Sequence, residues 1–128
     1  MTLQSPDAGE IDSDRVKKDL LELLRTEADT EEAEFTVDPV RLLGGFDTLI
    51  FSFRLSKVPE VLAGPLVIRL FAEMGGVGQS AKEAVFQNAM ADAGYPVPRV
   101  VIPGGTRTIN GRPFNVMERV QAIRLWKR

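Results

Sequence analysis

Residues 49 to 55 have the clearest period in this chain, because apolar and polar side chains alternate along them except at Ile50. Leu49, Phe51, Phe53 and Leu55 are apolar, and Ser52 and Arg54 lie between them. Successive side chains of a strand point to opposite faces of a sheet, so a period of two predicts a β-strand with one buried face. The chain is therefore expected to build a sheet around this strand and to cover one face of it.

Four further strands are predicted around this one. They are Val37 to Leu43, which leads into Gly44-Gly45, the nearly continuous apolar run Leu66 to Phe71, which is typical of a central strand, and shorter strands at residues 100–102 and 114–120. Asn110-Gly111 tolerates the positive φ values of a tight turn. Residues 106–109 are therefore predicted to pair with the last strand.

An amphipathic helix is predicted before the first strand. Asp12 is expected to cap it, and Ile11 to pack on Val16 as a hydrophobic staple. Apolar residues then recur on one face up to about Arg25: Val16, Leu20, Leu23 and Leu24. Such a face predicts that the helix covers another apolar surface.

A second helix is predicted at Ser80 to Ala93, after a mobile loop at residues 74–78. Gly94, two residues before Pro96, is expected to end it. Its inward face is predicted to hold Val85, Phe86, Ala89, Met90 and Ala93.

The fold class that these elements predict is α+β, an antiparallel five-stranded sheet with one packed helix and an N-terminal amphipathic helix. At 128 residues the chain suits one domain rather than two. Residues 1–36 are predicted to hold a disordered tail, the first helix and an acidic connector at Thr26 to Glu34, which is either a linker or a frayed helix end. Residues 37–128 are predicted to form the sheet domain.

Composition narrows the chemistry that is open to this chain. With no Cys and no His, it has no disulfide, no thiolate metal site and no histidine base. Residues 1–38 hold 12 acidic and 4 basic residues, whereas residues 39–128 hold 6 acidic and 12 basic ones. Because those bases are scattered singly, a nucleotide or an acidic partner surface suits them better than nucleic acid. No membrane span or signal peptide is evident, which predicts a cytoplasmic protein.

Three segments are candidates for binding. In the first, Gly44, Gly45, Phe46, Asp47 and Thr48 form a turn between strands. Glycines there would let backbone amides approach phosphate oxygens, although on turn statistics alone an ordinary hairpin turn is the commoner explanation of such a pair. It is neither a Walker loop nor a dinucleotide fingerprint, since no Gly-Lys-Ser/Thr follows and the next element is a strand.

The second candidate is Arg69, whose guanidinium at the end of an apolar strand must reach either solvent or an anion such as a phosphate. Glu83 on the following helix has two alternative roles. It is placed to pair with Arg69, as in kinases, or to complete a capping box with Ser80. The third candidate is the end of the last strand, Met117, Glu118, Arg119 and Val120, which is either a hinge that contacts adenine or simply a buried strand.

Taken together, several segments resemble the aminoglycoside phosphotransferase family. They are Leu42 to Thr48, Leu66 to Arg69, Glu83, Gly94 to Pro98 and Gly111 to Val120, so the resemblance spans roughly residues 37–120. It implies the nucleotide-binding lobe of a kinase-like fold and transfer of the γ-phosphoryl of ATP, with magnesium, to a hydroxyl of a small molecule. By the same resemblance Gly44 and Gly45 would cover the phosphates, Arg69 would hold them, Glu83 would orient Arg69, and Glu118 to Val120 would contact adenine.

The sequence departs from that family where catalysis would occur. The family's His-Gly-Asp-type loop and second metal-binding Asp are not found before Arg128, and Arg69 replaces the usual Lys. We therefore expect a truncated ATP-binding lobe, inactive alone, with no catalytic residue, no metal ligand and weak or absent binding of ATP with Mg. Its expected partners are the missing C-terminal lobe, or a protein or second copy that covers the exposed cleft. The alternative is a non-catalytic interaction domain that retains the lobe fold.

Overall fold

A computed structural model describes residues 12–42, 49–72 and 76–119. The elements are α1 (Ser13–Ala28), β1 (Glu34–Leu42), β2 (Leu49–Ser56), a 3-10 turn (Glu60–Leu62), β3 (Leu66–Leu70), α2 (Gly76–Asp92), β4 (Val100–Pro103) and β5 (Phe114–Glu118). Neither helix in these ranges is long and apolar enough to cross a membrane. The tail predicted at residues 1–10 lies outside the described residues.

The five strands form one sheet in the order β1-β2-β3-β5-β4, and all neighbours are antiparallel. The predicted fold class, α+β with a five-stranded antiparallel sheet and two helices, is confirmed. The central position of β3 explains its apolar sequence, since both of its edges are paired and four of its five residues are buried.

The predicted start of α1 is confirmed, and its end lies three residues beyond Arg25. The Asp12 carboxylate accepts hydrogen bonds from the amides of Asp14 and Arg15. The helix ends in a Schellman motif, in which the left-handed residue Asp29 donates to Thr26 and Thr30 donates to Arg25.

The acidic segment from Thr26 to Glu34 is more ordered than a linker. Its first residues complete α1, and Glu34 already begins β1. Between them Arg25 Nε donates to the carbonyl oxygen of Ala33 at 3.0 Å. The acidic side chains are solvated on the outside of a short, hydrogen-bonded connection.

The large core lies between α1 and the sheet face that it covers. Val16, Leu20 and Leu24 of α1 are fully buried there. They pack against sheet residues that include Phe51, Phe53, Ile68, Phe114 and Val116. Apolar burial of this kind is the main stabilising term of the fold.

Two polar contacts fasten α1 to the segment between β4 and β5. Asp19 Oδ2 accepts from the amide of Asn110 at 2.9 Å, and Glu27 Oε2 accepts from Arg107 at 2.6 Å. Asn110 and Gly111 both have positive φ, as predicted for a tight turn. The predicted strand at residues 106–109 is wrong, because only the bridge between Ile109 and Arg112 forms.

The second helix differs from its prediction at the start and on its inward face. Gly76 to Gly78, predicted as loop, belong to α2, so Ser80 lies in the second turn and cannot cap the helix. The predicted end is confirmed: Gly94 (φ 96°) and Tyr95 donate to Ala91 and Met90, which is a Schellman motif.

The predicted inward face of α2 is wrong for four of its five residues. Val85 and Phe86 are 72% and 65% exposed, and Ala89 and Ala93 are exposed as well, while Met90 is half-buried. The buried or half-buried positions are instead mostly polar or small: Ser80, Glu83, Ala84, Gln87, Asn88 and Ala91. The physical reason is that side-chain amides on this side of α2 bind backbone groups of Pro98 and Val100.

Candidate functional site

An ion pair joins β3 to α2. Nη1 of Arg69 lies 2.9 Å from Oε1 of Glu83, and the two side chains are 31% and 22% exposed. Arg69 is the penultimate residue of β3, and Glu83 lies on the inward face of α2. The structure thus brings together the two residues that the sequence singled out, and Glu83 pairs with Arg69 instead of capping its helix.

The remaining surroundings of Arg69 leave one donor unused. Its guanidinium carbon lies 5.1 Å from the centre of the Phe71 ring, which is within range for a cation–π contact. Its Nε is buried, and no acceptor within the described ranges lies at hydrogen-bonding distance from it. A buried donor without an acceptor is costly, and because Nε has almost no accessible surface, an added anion would contact the exposed part of the side chain instead.

Side-chain amides of α2 fix the helix against β4. Asn88 Oδ1 accepts from the amide of Val100 at 2.7 Å, and its Nδ2 donates to the carbonyl of the same residue at 3.1 Å. Gln87 Nε2 donates to the carbonyl of Pro98 at 2.8 Å. These bonds serve backbone groups at the sheet edge, and they turn the polar side of α2 inward.

Asn115 fastens the other end of α2. It is fully buried on β5, opposite Arg69 in the β3–β5 ladder. Its Nδ2 donates to the carbonyl of Ser80 at 3.0 Å, and its Oδ1 accepts from the amide of Gly104 at 3.3 Å. A Cβ at Gly104 would collide with the carbonyl oxygen of Phe114, so this close approach requires glycine.

Sequence reasoning missed all three of these amides. A signal was present: Ser80, Ala84 and Asn88 recur every four residues, as do Glu83 and Gln87. This spacing defines a helix face as regularly as the spacing of Val85, Phe86 and Ala89 does. The prediction relied on hydrophobicity alone and therefore assigned the wrong one of these two faces to the interior.

Several groups of the predicted adenine hinge already make contacts within the domain. Met117 is buried in a small cluster with Val67, Ala84 and Val100. The amide of Glu118 donates to Arg99 and that of Arg119 to Pro65, both at 3.0 Å. Neither amide is therefore open to an adenine edge while these bonds persist, although both side chains are exposed.

Six of the candidate residues lie outside the described ranges. They are Gly44, Gly45, Phe46, Asp47, Thr48 and Val120. The register places the strand ends on either side of residues 43–48: Leu42 pairs with Ile50, and Ile50 with Arg69. The end of β1 thus lies two strand spacings, about 10 Å, from Arg69.

No family model, curated protein or solved structure matches this chain. Within the described residues, no three acidic side chains are grouped closely enough to hold a metal ion. The site is therefore defined by its own geometry: a half-buried cation and its carboxylate partner, between a helix held by amides and the end of the central strand.

Proposed function

We propose that this domain binds a nucleoside triphosphate along β3, as the ATP-binding lobe of an aminoglycoside-phosphotransferase-like enzyme. The observation that carries the proposal is the ion pair between Arg69 and Glu83. Kinases hold the nucleotide phosphates with a cation on the third strand, which a glutamate of the following helix orients. Here the cation, the glutamate and the order of the elements that bear them correspond, with Arg in place of Lys.

The register supports the direction in which the nucleotide would lie. Leu66, at the start of β3, pairs with Glu118 at the predicted hinge, and Arg69 is three residues further along. Three residues of a strand span about 10 Å. An extended nucleotide with its base near Met117 would thus have its phosphates near Arg69, at the end of the sheet where β1 ends and β2 begins.

Charge supports the same orientation. The guanidinium of Arg69 is held in place by Glu83 and Phe71, and its side chain is 31% exposed, so part of it is open to an oxygen acceptor. Arginine binds phosphate through two parallel N–H groups, which gives orientation as well as affinity. Magnesium would neutralise further phosphate charge, and phosphoryl transfer to a hydroxyl acceptor would need a base that we assign to no residue of this chain.

The test is an NMR titration of the 128-residue chain with Mg-ATP. We expect millimolar-range binding, with the largest amide shifts at Val67, Arg69 and Met117 and at the ends of β1 and β2. The Arg69→Ala variant should lose the response, because it removes the phosphate contact. Arg15→Ala is the matched control, since Arg15 lies on α1, across the sheet, and is 59% exposed.

Two results would oppose the proposal. One is a set of shifts that Arg69→Ala leaves unchanged, which would place the nucleotide elsewhere. The other is no response of the unmodified chain at any concentration, together with none in Arg69→Lys, which supplies the cation that kinases use.

A further inference from the structure

The outward face of α2 is an exposed apolar stripe with a charge at each end. It consists of Ala81, Lys82, Val85, Phe86, Ala89, Asp92 and Ala93, which we call the α2 stripe, and every member is exposed. Phe86 and Val85 are among the most exposed large apolar residues that the structure describes. No other described element covers them.

The α2 stripe exists because the helix is inverted relative to ordinary amphipathic helices. A surface helix normally turns its apolar residues to the core. In α2, however, the core-facing side carries the side-chain amides that bind β4. Exposed contiguous apolar surface of this kind marks association sites. The side of α2 that faces away from its own domain is thus apolar, as the surface of an interface would be.

The order of residues in the α2 stripe is self-complementary when two copies run antiparallel. Lys82 lies five residues before Gln87 and Asp92 five residues after it. Opposite charges at equal distances from a midpoint meet when a second helix is reversed about that midpoint, whereas a parallel pair would bring like charges together. The helix dipoles favour the same antiparallel arrangement, because neighbouring antiparallel dipoles attract each other and parallel ones repel.

We infer that two copies of this chain associate through the α2 stripe, with their α2 helices antiparallel about a two-fold axis at the level of Gln87. In this register Lys82 faces Asp92 of the second copy, and Val85 faces Ala89 of the second copy. A large side chain opposite a small one lets two helices interdigitate. Phe86, beside the axis, packs on its symmetry-related neighbour.

The association is weak and oriented by charge. One helix per copy buries less than the roughly 800 Å² per partner of a standard interface. Asp92 also contacts Arg99, at 2.5 Å, but its side chain is 69% exposed and can accept a second cation. Exposed ion pairs add little affinity, yet they select orientation.

This interface is separate from the proposed nucleotide site. Glu83 lies on the inward side of α2, against Arg69, whereas the α2 stripe faces outward. Self-association therefore requires no nucleotide, and the two proposals can fail independently.

The first measurement is sedimentation equilibrium of the 128-residue chain from micromolar to millimolar concentration. We expect the average mass to rise towards that of a dimer, and we expect Phe86→Ser to remove the rise while circular dichroism stays unchanged, because Phe86 is 65% exposed. A monomer at all concentrations, or a dimer that Phe86→Ser leaves intact, would overturn the inference.

Charge reversal tests the orientation. Lys82→Asp and Asp92→Lys should each weaken the dimer about tenfold, since each creates two like-charge contacts across the axis. The double variant, Lys82→Asp with Asp92→Lys, should recover most of the loss because it restores opposite charges at both contacts. Lys18→Asp, a reversal on the exposed side of α1, is the control and should change nothing. Single variants without effect, or a double variant weaker than both, would exclude the antiparallel register.

Discussion

The two helices of this domain lie on opposite faces of one sheet and are held there by different forces. Helix α1 buries Val16, Leu20 and Leu24 completely in the large apolar core. Helix α2 rests on a much smaller apolar cluster and is fixed by the amides of Gln87 and Asn88. A helix can therefore be positioned by directional bonds to backbone groups with its apolar side left in water.

The largest effect should be a difference in stability between variants at apolar residues of the two helices. Leu20→Ala is expected to lower the free energy of unfolding by about 2–5 kcal/mol, because it opens a cavity in the large core. Val85→Ala should change it by less than about 0.5 kcal/mol, because Val85 is 72% exposed. Urea unfolding followed by circular dichroism measures both. Equal losses in the two variants would contradict the inverted packing of α2.

A smaller effect should identify what holds α2. Asn88→Ala removes the partners of both backbone groups of Val100, and we expect a loss of about 1–3 kcal/mol. Gln79→Ala removes an exposed amide from the same helix and serves as the matched control. Hydrogen exchange of the α2 amides should be faster in the first variant only. Unchanged exchange there would mean that the amides do not position α2.

The smallest effect concerns an exposed ion pair that is supported neither by an apolar core nor by side-chain amides. Lys57 Nζ lies 2.8 Å from Glu34 Oε2, with both side chains more than half exposed. The hydrogen bond from Lys57 lowers the pKa of Glu34 below its ordinary 4.5, and the bond to Glu34 raises the pKa of Lys57 above 10.5. The contribution of Glu34 is lost as pH falls through its lowered pKa, and that of Lys57 as pH rises through its raised pKa.

An NMR pH titration of the Glu34 carboxyl carbon detects this pair directly. In Lys57→Gln the pKa of Glu34 should rise towards 4.5, whereas Lys18→Gln should leave it where it is. We expect no change in unfolding that denaturant experiments would resolve, because exposed pairs are screened by water and salt. A Glu34 pKa that ignores Lys57→Gln would mean that the pair does not form in solution.

Most of the sheet could be predicted from sequence, and the placement of α2 could not. Period two in β2, the apolar run of β3, the Asp12 cap and the stop at Gly94 are local signals, and each depends on a few adjacent residues. The inward face of α2 depends instead on Pro98 and Val100, whose backbone groups need partners. Such a need becomes visible only when the edge of β4 is in place.

The candidate site, like the fold, could be predicted from the sequence only in part. Arg69 was found because a charged residue at the end of an apolar strand stands out, and Glu83 because it lies on the helix that follows. Sequence left two roles open for Glu83, and the structure shows that it pairs with Arg69. Asn115 was not found, because nothing local distinguishes a buried asparagine in β5 from an exposed one. It is a long-range contact, to Ser80 35 residues away, that gives Asn115 its part in placing α2.

The bonds that tie α1 to the β4–β5 segment also determine when this domain can fold. Asp19 and Asn110 are 91 residues apart, and Glu27 and Arg107 are 80 apart. Contacts of such separation slow folding, and at 5–20 residues per second a ribosome needs roughly 4–18 s to synthesise the intervening chain. During that time Leu20 and Leu24 have no complete sheet to cover, so aggregation competes most strongly with folding between the synthesis of α1 and that of β5.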